Sequence, residues 1–338
     1  MSNIGEVLFL SSIDVATVLD PSECLARCEE TFRWVGEGKV DQVNPVDLWL
    51  SPPDGPYGYG RVQAFPSHIK PIGIAGVKWL GVFKHNKRRG LPTIGAIDII
   101  SDAETAMPLA IIDGTSVTAM RTGGHAGVGA KYLARKDSGI VAIIGCGVEG
   151  RSHLTIMNLL FNIDEVRACD IIEDARLKFV KEMSDKLGLR VTAVESAEEA
   201  TKNADIVCMV TTSEQPVVQE SWLAPGCHVC ATVGFRDLDP ACAEKFDKWV
   251  VGWSGRDLEW IEGPEAGKIV PKHPSVVKEN IYADLSTEII TGRKSGRQSE
   301  NERTIMTHMG MPAFDAAVAA LVYEKASALG VGMRLKVF

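Results

Sequence analysis

The stretch that most constrains this chain is residues 139–150, Gly-Ile-Val-Ala-Ile-Ile-Gly-Cys-Gly-Val-Glu-Gly. The five apolar residues 140–144 read as a strand buried on both faces. They run into Gly145-x-Gly147-x-x-Gly150, and a helical pattern follows from about 151 to 160. Strand, glycine turn and helix start together form the context of a dinucleotide site. Gly145 permits the tight turn, Gly147 lets the backbone approach a pyrophosphate, and Gly150 lets helix and strand pack closely. Val148 and Glu149 are candidate cofactor contacts beside the glycines, and the helix N-terminus that follows offers unpaired N–H groups and a positive dipole end to the phosphates. A second strand, 166–169, ends at Asp170, 25 residues after Gly145. A carboxylate there accepts hydrogen bonds from both ribose hydroxyls and repels a 2′-phosphate. The nearest following arginine is Arg176. The pattern predicts an NAD site, against the alternative of a glycine turn without a ligand.

A chain of 338 residues is long enough for two domains, each with its own core. The net charge of −8 gives no general affinity for nucleic acid or an anionic membrane. No apolar run reaches the roughly 18 residues of a transmembrane helix. No basic segment followed by an apolar one marks a signal peptide, so a cytoplasmic protein is expected. The eight cysteines show neither disulfide nor zinc spacing, and no metal is expected. Cys227-His-Val-Cys230 lies in a strand-like run, where positions three apart point to opposite faces; buried free thiols are the reading.

Asp20-Pro-Ser-Glu23 starts a helix: Asp20 caps, Pro21 suits the first turn and Glu23 completes a capping box. Gly36 and Gly38 end it. Residues 43–83 are β-like and are interrupted by a Pro/Gly-rich loop at 51–60, with strands at 61–65 and 74–79. Lys78 is a cation inside an apolar strand, either an edge lysine facing water or a buried functional one. Residues 85–92 form a basic loop. Residues 93–100 and 108–113 pair as a hairpin. A long helix, capped by Thr115 or Ser116, runs to about Arg135 and carries Gly123, Gly124, Gly127 and Gly129. So many glycines, at roughly 1 kcal/mol each against alanine, point to close approach of a ligand or another backbone. Arg121 and His125 lie one turn apart on it, and His125 reads as a packed or capping residue.

Alternating helices and strands continue the Rossmann pattern. The strand 205–210 ends in Thr211-Thr212-Ser213, at the end that lines the ligand crevice. Further strands are expected at 226–233 and 248–253. A last helix, 313–329, places Phe314, Val318 and Leu321 on one stripe, with Gly330 as its C-cap.

Gly76-Val-Lys78, Gly90-Leu-Pro92, the run 108–115, Thr118-Ala-Met-Arg121-Thr122, Lys131-Tyr-Leu-Ala134, the run 144–150, Gly292-Arg-Lys-Ser-Gly-Arg297 and Gly310…Asp315…Ala319…Tyr323-Glu324 resemble the ornithine cyclodeaminase/μ-crystallin family over most of the chain. The resemblance implies an α/β architecture. A Rossmann NAD-binding domain (123–311) is inserted in an α+β substrate and dimerisation domain (1–122 plus 312–338), and the chain forms a homodimer. It makes Lys78 the lysine that contacts the substrate carboxylate near the reacting carbon, and Arg121 the arginine that holds that carboxylate. Thr122, Thr211, Thr212 and Ser213 match positions beside the cofactor. Three departures stand out. Cyclodeaminases carry a catalytic aspartate just after the glycine matching Gly234, where Phe235-Arg236 stand here, so Asp237, or Asp239, is the candidate replacement. No arginine is recognisable at 43–49, which leaves Arg61 as a substitute. His125 occupies a position usually held by a small residue.

The resemblance therefore implies NAD-dependent hydride transfer at the α-carbon of an L-amino acid or its imine, by a dehydrogenase or imine reductase. The Arg-Asp-Leu arrangement after Gly234 is similar to the branch that makes diaminopropionate. Two alternatives remain: a cyclodeaminase of ornithine or a related diamino acid that recycles NAD internally, and a non-catalytic μ-crystallin-like protein binding nucleotide and a small ligand. Side-chain selectivity belongs to 43–65 and 237–260, where Trp253 and Trp260 either line a pocket or pack in the core.

Overall fold

The computed structural model describes residues 5–50, 60–264 and 266–338; the loop expected at 51–60 lies outside the described residues except for Gly60. The chain divides into two compact units, Met1–Arg121 with Met311–Phe338, and Thr122–Gly310.

The first unit begins with β1 (Glu6–Leu10), α1 (Ser12–Val18), α2 (Pro21–Gly36), β2 (Val40–Gln42), β3 (Val46–Trp49), β4 (Gly60–Ile69), β5 (Ile74–Phe83), β6 (Ile94–Asp102), β7 (Pro108–Asp113) and the start of α3 (Gly114–Leu133). Asp20 caps α2 by accepting from the Ser22 and Glu23 N–H groups. Glu23, expected to close a capping box, instead pairs with Lys325. The cap of α3 is Asp113, whose carboxylate accepts from Thr115 N at 3.2 Å and Ser116 N at 3.0 Å. This corrects the expected Thr115 or Ser116: β7 ends at Asp113, the helix follows at once, and the Thr115 hydroxyl takes the Ala96 N–H instead.

The second unit contains β8 (Ile140–Ile144), α4 (Val148–Leu160), β9 (Glu165–Cys169), α5 (Glu173–Leu187), β10 (Val191–Ala193), α6 (Ala197–Thr201), β11 (Ile206–Met209), β12 (His228–Ala231), β13 (Lys248–Val251), α7 (Ser254–Ile261), β14 (Ile281–Asp284) and β15 (Thr304–Thr307). Its eight strands pair in the order β10-β9-β8-β11-β12-β15-β13-β14, all parallel. Both faces are covered, as the uniform apolar runs require. Ala142, Ile144, Met209 and Cys227 face one core, Val141, Ile143, Cys208 and Cys230 the other. Cys227 and Cys230 thus sit on opposite sides, and all eight cysteines are buried and free. The glycines of α3 admit a neighbouring backbone: a Cβ on Gly123 would stand 2.7 Å from the Ser152 carbonyl of α4. Trp260 belongs to the core, 1% exposed.

The chain then returns to the first unit with α8 (Pro312–Leu329) and β16 (Met333–Lys336). Its sheet runs β16-β1-β7-β6-β5-β4-β2, with β3 also on β4. The expected single stripe on α8 is corrected. Its residues from Pro312 to Val322 are buried all round, because the helix lies between the sheet and helices α1 and α2. The helix packs close over Gly76: a Cβ there would meet the Ala316 Cβ at 3.0 Å. Phe32 of α2 packs edge-on against Phe314 at 4.8 Å. Gly330, with φ of 69°, closes α8 as expected.

Candidate functional site

In the first unit four charged side chains meet beneath α8. Lys78 stands mid-strand in β5, directly opposite Phe65 of β4 and Asp98 of β6. Opposed residues of antiparallel strands share a face, here the face that α8 covers. The Lys78 Nζ lies 2.8 Å from Asp315 Oδ2 and 3.4 Å from Thr118 Oγ1. It also sits over the Phe65 ring, 4.3 Å from its centroid. Asp315 comes from the first turn of α8, a favourable place for a negative charge. Its Oδ1 accepts from Arg121 Nε at 2.9 Å. Arg121 and Thr118 are three residues apart on α3 and so share a side of that helix. Lys78, Asp98 and Asp315 are each 1% exposed and Arg121 6%. The lysine is therefore buried and paired, not an edge lysine facing water.

Burial sets the electrostatics. Desolvation lowers the Lys78 pKa below the usual lysine range, with Asp315 opposing and Arg121 adding to the effect. Burial, then repulsion from Asp315, pushes the Asp98 carboxyl well above the carboxylate range. The Cys28 thiol, also pushed up by burial, donates to the Arg121 carbonyl.

Arg61 shares the inner face of β4 but stands opposite Val82, four residues along β5 from Lys78, roughly 13 Å away at strand rise. It binds Asp47 at 3.2 Å and stacks over Trp49. The structure brings Lys78 and Arg121 together and leaves Arg61 apart from them. Asp315, quoted in the sequence only as part of a motif, and Asp98 are the residues that reading the chain missed. Each is an acid inside an otherwise apolar element, the same signal that singled out Lys78.

The second unit holds the glycine turn expected to cradle the nucleotide. Gly145 turns with φ of 109°, and a Cβ there would meet the Val210 carbonyl oxygen at 2.7 Å. Gly147 is the N-cap of α4 and makes no side-chain capping bond; a Cβ on it would meet nothing within 4 Å. Gly150 lies inside the helix, where a Cβ would stand 2.3 Å from the Gly145 carbonyl oxygen. The helix thus begins at Val148, three residues before the expected start, and Val148, 65% exposed, and Glu149 form its open first turn. Asp170 follows β9 and accepts from Cys146 N and Ile172 N at 2.8 and 2.9 Å. Arg176 donates to the Asp170 carbonyl and pairs with Glu195. These residues fit an adenosine ribose with a free 2′-hydroxyl.

Thr211, Thr212 and Ser213 follow the carboxyl end of β11. Asp237, fully buried, accepts from the Thr211 hydroxyl at 2.8 Å, and Arg236 donates to the Thr211 carbonyl. Burial raises the Asp237 pKa. Its carboxyl holds the threonine turn in place, and Asp239 is spent capping the Ala241 N–H. Thr122 is buried, and His125 packs against His308 with ring centroids 4.1 Å apart, a packed histidine as read. His153 bridges the Glu149 carbonyl and Thr232 Oγ1.

The family model for the ornithine cyclodeaminase/mu-crystallin family matches residues 6–330. The chain belongs to that family. Among its members, alanine dehydrogenase of Archaeoglobus fulgidus is 36% identical, over 98% of this chain and 99% of its own length. A solved Δ1-pyrroline-2-carboxylate reductase of Thermococcus litoralis, in complex with NADH and L-proline, superposes with a TM-score of 0.88 at 33% identity, covering 97% of this chain and 99% of that one. An archaeal alanine dehydrogenase dimer with bound NAD gives 0.86 at 34% identity, covering 98% and 100%. The inserted Rossmann domain is thus the architecture of the ornithine cyclodeaminase/mu-crystallin family, and these three relatives are named as dehydrogenases or a reductase.

Proposed function

We propose that the protein is an NAD-dependent oxidoreductase acting at the α-carbon of a small L-amino acid or of the corresponding imine. The observation that carries this reading is the buried Lys78–Asp315–Arg121 cluster. Two cations held this close, out of water, suit the carboxylate of an α-amino acid, the guanidinium fork binding it and the ammonium completing it. Burial lowers the Lys78 pKa, so its amine gives and takes a proton more readily near neutrality than a surface lysine. In oxidation Lys78 accepts a proton from the substrate ammonium; loss of hydride from Cα then leaves an iminium, which water hydrolyses to the oxo acid and ammonia. Reduction runs the same steps backwards.

NAD supplies the hydride acceptor, or the donor when reduced. Gly145, Gly147, Val148, Glu149 and Gly150 would hold its pyrophosphate and Asp170 its ribose. Thr122 and Thr211 to Ser213 would lie beside the rest, with Asp237 and Arg236 setting the Thr211 backbone. Cyclodeamination is disfavoured because Phe235, 1% exposed, packs edge-on against Trp249, while Asp237 is committed to Thr211. A purely binding role is disfavoured by the buried charges, which cost stability without a reaction to use them.

A second copy of the chain is the proposed partner. The sheet face turned away from α8 carries Val46, Trp79, Ile97 and Met333, between 49% and 63% exposed. Cross-strand pairs join them into one apolar surface, larger in kind than isolated exposed residues. Trp79→Glu is expected to turn the dimer into monomers in light scattering. The buried thiols suit a reducing compartment, and the cytoplasm is the proposed location.

The test uses purified protein, NAD or NADP, and a panel of L-amino acids including alanine and proline. Reduced cofactor rising in step with ammonia supports a dehydrogenase, and reduced cofactor without ammonia, from a cyclic amine, supports an imine reductase. Ammonia without net reduction overturns the reading in favour of a cyclodeaminase. Lys78→Ala is expected to lower turnover by about 10²–10⁴-fold with NAD binding intact; unchanged turnover removes the role given to Lys78.

A further inference from the structure

Asp98 is the charged group of the buried cluster that no ion pair explains. It faces Lys78 across the β5–β6 pair, yet neither carboxyl oxygen has a hydrogen-bond partner among the described residues. Its surroundings are closed: the backbone at Gly114 comes so near that a Cβ there would stand 2.9 Å from Asp98 Oδ2. Asp315 meanwhile binds both Lys78 and Arg121. A buried polar group without partners destabilises the fold. An acid kept in such a place has a use other than holding the fold together.

We propose that Asp98 is a positioning residue for Lys78, a buried acid that holds the proton Lys78 gives up and so keeps a neutral amine available to the substrate. The groups facing it are Lys78 from β5, Phe65 from β4, Asp113 from the end of β7, Thr118 and Arg121 from α3, Asp315 from α8 and, beyond Arg121, Cys28 from α2. With one proton shared between Asp98 and Lys78, Arg121 charged and Asp315 ionised, the cluster carries no net charge; once Lys78 has taken a proton from the substrate ammonium it carries one excess positive charge, which the substrate carboxylate cancels. With the proton on Asp98 and the amine of Lys78 neutral, that amine takes one from the substrate ammonium, and Lys78 need not first lose its own proton to bulk water. The direction of both shifts, Asp98 up and Lys78 down, moves the two groups toward sharing a proton. Asp98 also raises the proton affinity of Lys78 when it is ionised.

This rests on the reading of Lys78 above, and the experiment separates the two. The first arm needs no substrate: thermal stability of wild type and Asp98→Asn is compared from about pH 4 to 9. A carboxyl whose pKa is raised on folding contributes stability below its unfolded value, about 3.9, that is lost as pH rises through the folded value. The advantage of Asp98→Asn over wild type is therefore expected to grow with pH. Asp98→Val, which fills the site with apolar atoms, is expected to melt several degrees above wild type at pH 8. The second arm is the pH profile of kcat/KM for whichever amino acid of the panel is turned over. Its acid limb is expected to move to lower pH in Asp98→Asn, with kcat lowered more than KM is raised. Variants that are less stable than wild type at every pH make Asp98 a structural residue and overturn the proposal. So does a stability difference independent of pH. Loss of turnover in Lys78→Ala together with an unmoved acid limb in Asp98→Asn overturns this proposal alone. Full turnover in Lys78→Ala overturns the reading on which it stands.

Discussion

Lys78 and Asp315 form an ion pair 2.8 Å long whose side chains are 0% and 1% exposed. Removing one partner of such a pair leaves an uncompensated buried charge, which costs about 3–5 kcal/mol. Asp315 holds Arg121 as well, so Asp315→Asn is expected at the upper end of that range. Urea denaturation measures it. Because the amide keeps the shape, the fold is expected to survive while KM for the amino acid rises at least tenfold, the two cations no longer being held in place.

Gly150→Ala tests the cradle. A Cβ at this position would stand 2.3 Å from the Gly145 carbonyl oxygen, which is backbone and cannot swing aside. The turn proposed to hold the pyrophosphate must therefore open. The expected result is a loss of NAD affinity of tenfold or more in a fluorescence titration, alongside a destabilisation of about 1–3 kcal/mol. At Gly147 the same substitution meets nothing within 4 Å, so Gly147→Ala is expected to leave stability nearly unchanged and to weaken NAD binding alone.

How much of this was legible follows from the range of the interactions. The strand 140–144, its glycine turn and Asp170 are local, and each lies where the spacing places it. Lys78 was legible because a cation breaks an apolar strand. Asp98 breaks the next strand in the same way, but its meaning comes from facing Lys78, a pairing of residues 20 apart that alternation does not state. Asp315 acts across more than 190 residues on Arg121. The edge of the first sheet is equally non-local: β1 pairs with β16 from the other end of the chain, Glu6 opposite Lys336. Arg61 was read from its residue type alone, and Asp47, its partner, lies on a strand too short and too exposed to signal itself.

Cofactor choice is proposed to turn on Asp170. Its carboxylate, anchored by two backbone N–H groups, would repel a 2′-phosphate, and Arg176 is engaged with the Asp170 carbonyl and Glu195. Asp170→Ser is expected to reduce the preference for NAD over NADP by about two orders of magnitude, close to the 2.7 kcal/mol that a repelled charge and a lost pair of hydrogen bonds supply. The ratio of kcat/KM for the two cofactors reads this directly, and a preference for NADP in the wild-type protein would remove the role of Asp170.

Acid sensitivity has a separate origin, in the second unit. Burial lowers the His153 pKa to about 4, and burial with the nearby Arg297 charge lowers that of His228 to about 3. Both are neutral when folded and take up a proton near pH 6.5 when unfolded. A depressed folded pKa contributes stability that is present above the unfolded value and is lost as pH falls toward the folded one. Each histidine is thus expected to remove a few kcal/mol between about pH 6.5 and 4. His228 Nδ1 bonds Thr304 Oγ1 at 2.9 Å, a contact that the amide of His228→Asn can reproduce without titrating. That variant is expected to melt slightly below wild type at pH 8, to lose less stability on acidification, and to approach or overtake it near pH 4. Parallel curves would place the acid sensitivity elsewhere.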